Sequence, residues 1–244
     1  MKTALLLHGY MDSFTDPTSK GLDGFNHIKK NILDKTPTDV FIHSWQPELE
    51  DTITDLYHPK ASLFEPQIDF SYIDEERNLD STGYWRSMNR SPANKFSYFY
   101  SLTQGFKIIR DYEEEYGNYD IVIKGRFDLG RINRNTSGPG KHNPYAVQCI
   151  NFDPSLDMGK VYVADWNFFE TGPCDMWWYS NSENMRHFCK FYDTCYNDYM
   201  RVGSFFYNTL EEKTDILNPI RILKQFFIDN HLWEKMKPLE TYWE

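Results

Sequence analysis

A chain of 244 residues with 40% hydrophobic and 25% charged side chains is long enough to bury a substantial core, and its composition is ordinary for a globular protein. The formal charge of -10 repels polyphosphate and gains nothing from counterion release, which argues against nonspecific nucleic-acid binding. The aromatic share, 17%, is high, and most of these rings are expected in the core.

The first element is an apolar strand over residues 3–7 that ends abruptly at His8-Gly9. A loop rich in Asp, Ser, Thr and Gly follows. Leu22, Phe25, Ile28, Ile32 and Leu33 then recur at helical spacing, and this helix should stop near Thr36-Pro37. Asp39 to Trp45 reads as a second strand, so the opening is strand, helix, strand, with connections that suit a parallel crossover. Residues 46–94 carry Pro47, Pro59, Pro66, Pro92 and many charges; they read as irregular, with Leu63-Phe64 in a short strand. Phe96, Phe99, Leu102, Phe106, Ile109 and Tyr112 mark a long amphipathic helix to about Glu115, stopped by Gly117-Asn118. Tyr119 to Lys124 is a β-branched buried strand that runs into Gly125-Arg126-Phe127-Asp128. Residues 131–147 are loop. Lys160 to Ala164 and Met176 to Tyr179 read as strands, and 182–200 and 217–230 as helices.

This alternation predicts a single α/β domain over 1–244, with a mostly parallel central sheet flanked by helices. Ligands bind such sheets at the carboxyl ends of the strands. His8-Gly9, His43-Ser44-Trp45 and Arg126-Phe127-Asp128 all lie at such ends.

Cys149, Cys174, Cys189 and Cys195 form no C-x-x-C pair, which argues against a zinc site. The opening apolar run is too short for a signal peptide, and no run is long enough to span a membrane. The expectation is a cytoplasmic protein (host cytoplasm if the source is a virus) with reduced thiols, in which the sequons at Asn89 and Asn135 are accidental. The nucleophile elbow G-x-S-x-G of a hydrolase is absent, as are the P-loop and G-x-G-x-x-G phosphate cradles.

The stretch YDIVIKGRFDL, residues 119–129, carries the chemistry. It sets Arg126 and Asp128 two residues apart just past a buried strand, where extended geometry turns both to one side. A guanidinium can clamp a phosphate bidentately, and a carboxylate can hold Mg²⁺ or Mn²⁺ beside it. On the same spacing, the two can instead pair with each other and close a turn, with Asp128 as its cap.

Several segments together resemble a family of glycosyltransferase-like proteins found in bacterial polysaccharide loci and in viruses. They are LLLHGYMDSF with Ser13-Phe14, DVFIHSW, FSYFYSL with Tyr100-Ser101, YDIVIKGRFDL, and DMWWYSNSENM over 175–185, in that order along most of the chain. The resemblance implies a GT-A-like (Rossmann-like) fold, with a nucleotide-binding half over 1–130 and an acceptor-side half over 131–244. It implies transfer of a sugar from a nucleotide-sugar donor to a glycan or other hydroxyl acceptor. His8, Gly9, Tyr10 and Ser13 would line the base and ribose, with His43 and Trp45 nearby. Arg126-Phe127-Asp128 stands where the family carries D-x-D, so Asp128 keeps one carboxylate for Mn²⁺ or Mg²⁺ while Arg126 replaces the other. Asp175 and Asp165 are the candidate catalytic bases, and Trp177 and Trp178 would stack on the acceptor sugar. Two alternatives stand beside this one. One is a viral glycosyltransferase acting on a modified DNA base, against which the charge of -10 argues. The other is a non-catalytic carbohydrate- or nucleotide-binding protein.

Overall fold

The computed structural model describes residues 1–11, 20–76, 92–130, 149–165, 172–199 and 219–240. Ser13, Phe14, both sequons and the 131–147 loop lie outside the described residues. In chain order the elements are β1 (Thr3–Gly9), α1 (Lys20–Ile28), β2 (Thr38–Ser44), α2 (Glu50–Tyr57), β3 (Ala61–Phe64), α3 (Ser71–Glu76), α4 (Pro92–Tyr116) and β4 (Ile121–Arg126). There follow β5 (Val161–Ala164), β6 (Trp178–Ser180), α5 (Ser182–Met185), α6 (Phe191–Thr194), α7 (Pro219–Asp229) and β7 (Met236–Leu239).

The strands form one seven-stranded sheet in the order β3-β2-β1-β4-β6-β5-β7. Its neighbours pair in parallel except at β6, which runs antiparallel to both β4 and β5. Both halves of the chain therefore contribute to one sheet, joined where β4 meets β6. Strand order reverses at β1: β2 and β3 extend to one side, β4 to the other. In an open α/β sheet that reversal leaves a crevice beyond the carboxyl ends of the two central strands, here β1 and β4.

Helices cover both faces. Ala4, Leu6, Phe41 and Val122 join Phe99, Leu102 and Phe106 of α4 and Phe191 and Phe226 behind them in one core layer. Leu5, Leu7, Val40, Ile42, Ile121 and Ile123 join Ile28, Ile32, Ile53 and Tyr57 in the other. Burial on both faces is why β1, β2 and β4 read as nearly unbroken apolar runs. Helix α4 begins at Pro92 and ends before Gly117, whose φ of +85° and whose N–H to Glu113 O bond of 2.8 Å make a left-handed cap. No helix among the described residues is long and apolar enough to cross a membrane. Cys174, Cys189 and Cys195 carry no disulfide.

The 46–94 stretch is more regular than its prolines suggest. It contains α2, β3 and α3, and α2 is anchored by only two buried residues, Ile53 and Tyr57, one turn apart. Strand β7 falls in a segment whose lysines and Pro238 hide it; as an outer strand it tolerates a proline. The stretch 182–199 is helical as expected, but broken into α, 3₁₀ and π turns.

Candidate functional site: a cation–carboxylate cluster at the end of β1 and β4

The register pairs His8 of β1 with His43 of β2 on one side and with Arg126 of β4 on the other. Side chains alternate across a strand, so His8, His43 and Lys124 share the face covered by α4, on which Leu6, Phe41 and Val122 also lie. A polar row thus crosses the sheet at its carboxyl rim, beneath the first turns of α4.

Arg126 is its centre. Nε and Nη2 donate to the two oxygens of Asp128 at 2.9 and 2.8 Å, and Nη1 reaches Asp175 Oδ2 at 3.4 Å. Asp128 lies in a turn after the strand rather than on extended chain, and the turn folds its carboxylate back onto the guanidinium. Three of the five N–H groups of Arg126 are used in these bonds, and among the described residues the other two are left for another acceptor. The cluster reaches solvent: the side chains of Arg126, Asp128 and Asp175 are 28, 12 and 26% exposed. Burial works against the Arg126 charge, but Asp128 and Asp175 outweigh it and hold the guanidinium firmly protonated. Burial alone would raise Asp175; Arg126, Lys124 and Lys95 overcome it and hold the carboxyl below its usual range.

Lys124 lies under this layer and is fully buried. Its ammonium donates to the carbonyl oxygens of Asp175 and, at 3.3 Å, of Met176, and lies 4.3 Å from the Trp178 ring centre and 5.4 Å from that of Tyr98. Burial pulls its pKa down to about 7, against the opposing pull of Asp175. Tyr98 OH also donates to the Asp175 carbonyl, at 3.4 Å. Lys124 and Tyr98 therefore fix the peptide that presents the Asp175 carboxylate to Arg126. Neither residue was singled out from sequence, although a lone lysine inside the apolar run IVIKG was the available signal.

The other sequence candidates fall as follows. Gly9 ends β1 with a φ of +94°, and a Cβ there would meet no atom of the described residues within 4 Å, so among them the backbone is open beside His8. Tyr10 is exposed and donates to Gln67 Oε1 at 2.9 Å. His43 is not open to a donor: it is fully buried, with Nδ1 2.8 Å from Ser101 Oγ and Nε2 3.0 Å from Glu65 Oε1. With a carboxylate at Nε2 the ring proton sits there, and the Ser101 hydroxyl donates to Nδ1. Ser101 is itself fully buried on α4, so this serine, histidine and glutamate arrangement is no nucleophile triad. Glu65, in a stretch read as irregular, gave no sequence signal. Trp45 is buried too, stacked on Tyr100.

Trp177 and Trp178 present no face to a sugar. Both are fully buried, one in each core layer. Trp177 leads directly into β6 and Trp178 opens it, so the two side chains point to opposite faces of the sheet, and here both faces are covered by helices. Asp165 is exposed at the end of β5, two strand positions from β4 on the same rim, roughly 10 Å across the sheet. Burial pushes the Cys174 thiol, next to Asp175, up to about 12, which leaves it unreactive at neutral pH.

Among the described residues no group of three His, Cys, Asp or Glu side chains is gathered as a metal site. Asp128, the candidate ligand, has both oxygens engaged by Arg126, so as held here it is a partner of the guanidinium rather than an open metal ligand. No protein-family model matches the chain, and a search of the curated proteins finds no significant match.

Proposed function

We propose that the chain is a glycosyltransferase of GT-A-like fold that takes its sugar from a nucleotide-sugar donor in the cytoplasm and passes it to a glycan or other hydroxyl acceptor. The observation that carries this reading is the meeting of His8, Arg126, Asp128 and Asp175 at the carboxyl ends of β1 and β4, where strand order reverses. A mostly parallel sheet with helices on both faces supports the fold part of the reading.

The donor's diphosphate would take the two remaining N–H groups of Arg126, with the backbone of Gly9 close by. Charge that develops on the departing diphosphate is then met by a cation already held in place on both sides by Asp128 and Asp175. Asp175 serves this alignment better than proton transfer, because a carboxylate held below its usual range is a weak base. Asp165, exposed on the same rim, is the better-placed candidate for the acceptor proton. Mn²⁺ or Mg²⁺ would have to draw Asp128 away from Arg126; the geometry favours the guanidinium as the charge on the diphosphate.

Two observations favour a second reading, a nucleotide-binding protein without turnover. The Arg126–Asp128 pair is already satisfied, and the two expected sugar-stacking tryptophans are in the core. A thermal-shift panel of UDP- and GDP-sugars, with and without Mn²⁺, followed by a donor-turnover assay, separates the two. The proposal expects at least one donor to raise the melting temperature and to be consumed. It expects Arg126→Ala to weaken that donor's binding by roughly ten- to a hundredfold, the loss of a charge-assisted contact. Binding without turnover would favour the second reading, and no binding at all would defeat both.

A further inference from the structure

His8 is left unexplained by the cluster around it. The ring is 3% exposed, and neither of its nitrogens has a hydrogen-bond partner among the described residues. Burying an imidazole with both nitrogens unpaired costs stability, whereas an apolar side chain at the end of this apolar strand would not. The ring lies at the carboxyl end of β1, across from Arg126, and beside the open backbone of Gly9.

The groups that face it are nearly all cationic or neutral. Lys124 and Arg126 come from β4, His43 from β2, and the Tyr98 ring, 5.2 Å away between centroids, from α4. Asp175, ahead of β6, acts on Arg126 and Lys124, and Lys95, one turn before Tyr98 on α4, acts on Asp175. Burial first, then Lys124, Arg126 and His43, hold the ring's pKa well below its ordinary value, so the free protein carries His8 neutral at neutral pH. An anion at this spot reverses the local sign and supplies the acceptor that a ring N–H needs.

We propose that a phosphoryl group bound at the ends of β1 and β4 is met by His8 as an imidazolium, so that binding carries one proton from solvent onto the ring. This rests on the reading of the site as a diphosphate site. The proton comes from water or buffer, a new N–H forms on the imidazole and donates to a phosphoryl oxygen, and no bond of the ligand breaks. Affinity therefore falls as pH rises, because the proton that accompanies the anion becomes harder to obtain.

The test is nuclear magnetic resonance of the full chain, labelled with ¹⁵N and ¹³C in histidine, at neutral pH. Inorganic pyrophosphate, UDP and GDP are added in separate arms, and binding is measured in parallel by calorimetry. The His8 signals are assigned by their contact with the Tyr98 ring and by their loss in His8→Gln. The expected result is a neutral ring before addition and an imidazolium at saturation, with His8→Gln binding about tenfold more weakly. Pyrophosphate binding as well as the nucleotides assigns recognition to the phosphoryl groups; binding of the nucleotides alone adds a base requirement to the same proton uptake. Saturation that leaves the His8 ring neutral overturns the proposal and leaves the diphosphate reading intact. Failure of all three probes to bind defeats that reading and this proposal together. If His8→Gln does not fold, the wild-type ring signals decide alone.

Discussion

Lys124 is the residue on which the site's foundation rests. Its amine replaces hydration with two carbonyls and two ring faces, and burial lowers its pKa from 10.5 to about 7. Between those two values the unfolded chain binds a proton that the native chain does not. Raising the pH through that window removes a cost of folding, so this residue's contribution becomes more favourable with pH. Lys124→Met abolishes the dependence while keeping much of the volume. Denaturant titrations of both proteins at neutral pH and about two units higher check it. The wild type should gain about 2 kcal/mol relative to the variant over that interval. A stability difference that does not change with pH contradicts this account of Lys124.

At the scale of elements, α1 meets the sheet at a glycine. A Cβ on Gly24 would fall on the carbonyl oxygen of Phe127, in the turn that carries Asp128 back to Arg126. On α4, a Cβ on Gly105 would fall on the side chain of Leu6, which can give way more easily than a backbone carbonyl. Helix propensity alone makes Gly24→Ala stabilising by about 1 kcal/mol. Overlap with fixed backbone opposes it and is expected to win, for a net loss of about 1–3 kcal/mol together with weaker ligand binding as the turn shifts. A chemical melt that finds Gly24→Ala more stable than the wild type contradicts the close approach. The elements themselves were unevenly legible. The runs ALLL, VFI and IVI announce double-sided burial, and the spacing from Phe96 to Tyr112 announces α4. Helix α2 was hidden because two anchors one turn apart make no period, and β7 because lysines and a proline suit an outer strand as well as a tail. Arg126, Asp128 and Asp175 could be nominated from sequence. Their bonds to each other, and the Lys124–Tyr98 support beneath them, could not, because these depend on β6 pairing antiparallel beside β4 across 51 residues of chain. Trp177-Trp178 misled for a related reason: a tryptophan pair looks like a platform until helices cover both faces of its strand.

For the molecule as a whole, two ends of one sheet compete as binding surfaces. At the amino-terminal rim, Met1, Asn118, Asp120, Leu156, Met158 and Glu183 border an open hollow, where the Met1 ammonium, 3.8 Å from Asp120, is offset by Asp120 and Glu183 and no guanidinium among the described residues lines it to clamp a phosphate. The carboxyl rim brings Arg126, the buried Lys124 and the neutral His8 together with Asp128 and Asp175 at the point where strand order reverses. A protein with a formal charge of -10 draws an anionic ligand only where a cation with open donors is held locally, and the Arg126 guanidinium, with N–H groups unengaged among the described residues, favours the carboxyl rim. The most direct measurement is a crystal structure of the chain with a nucleoside diphosphate bound. It should show the diphosphate beyond β1 and β4, within hydrogen-bond reach of Arg126 and His8. A diphosphate seated instead in the hollow between Asn118 and Glu183, with Arg126 untouched, would contradict the account.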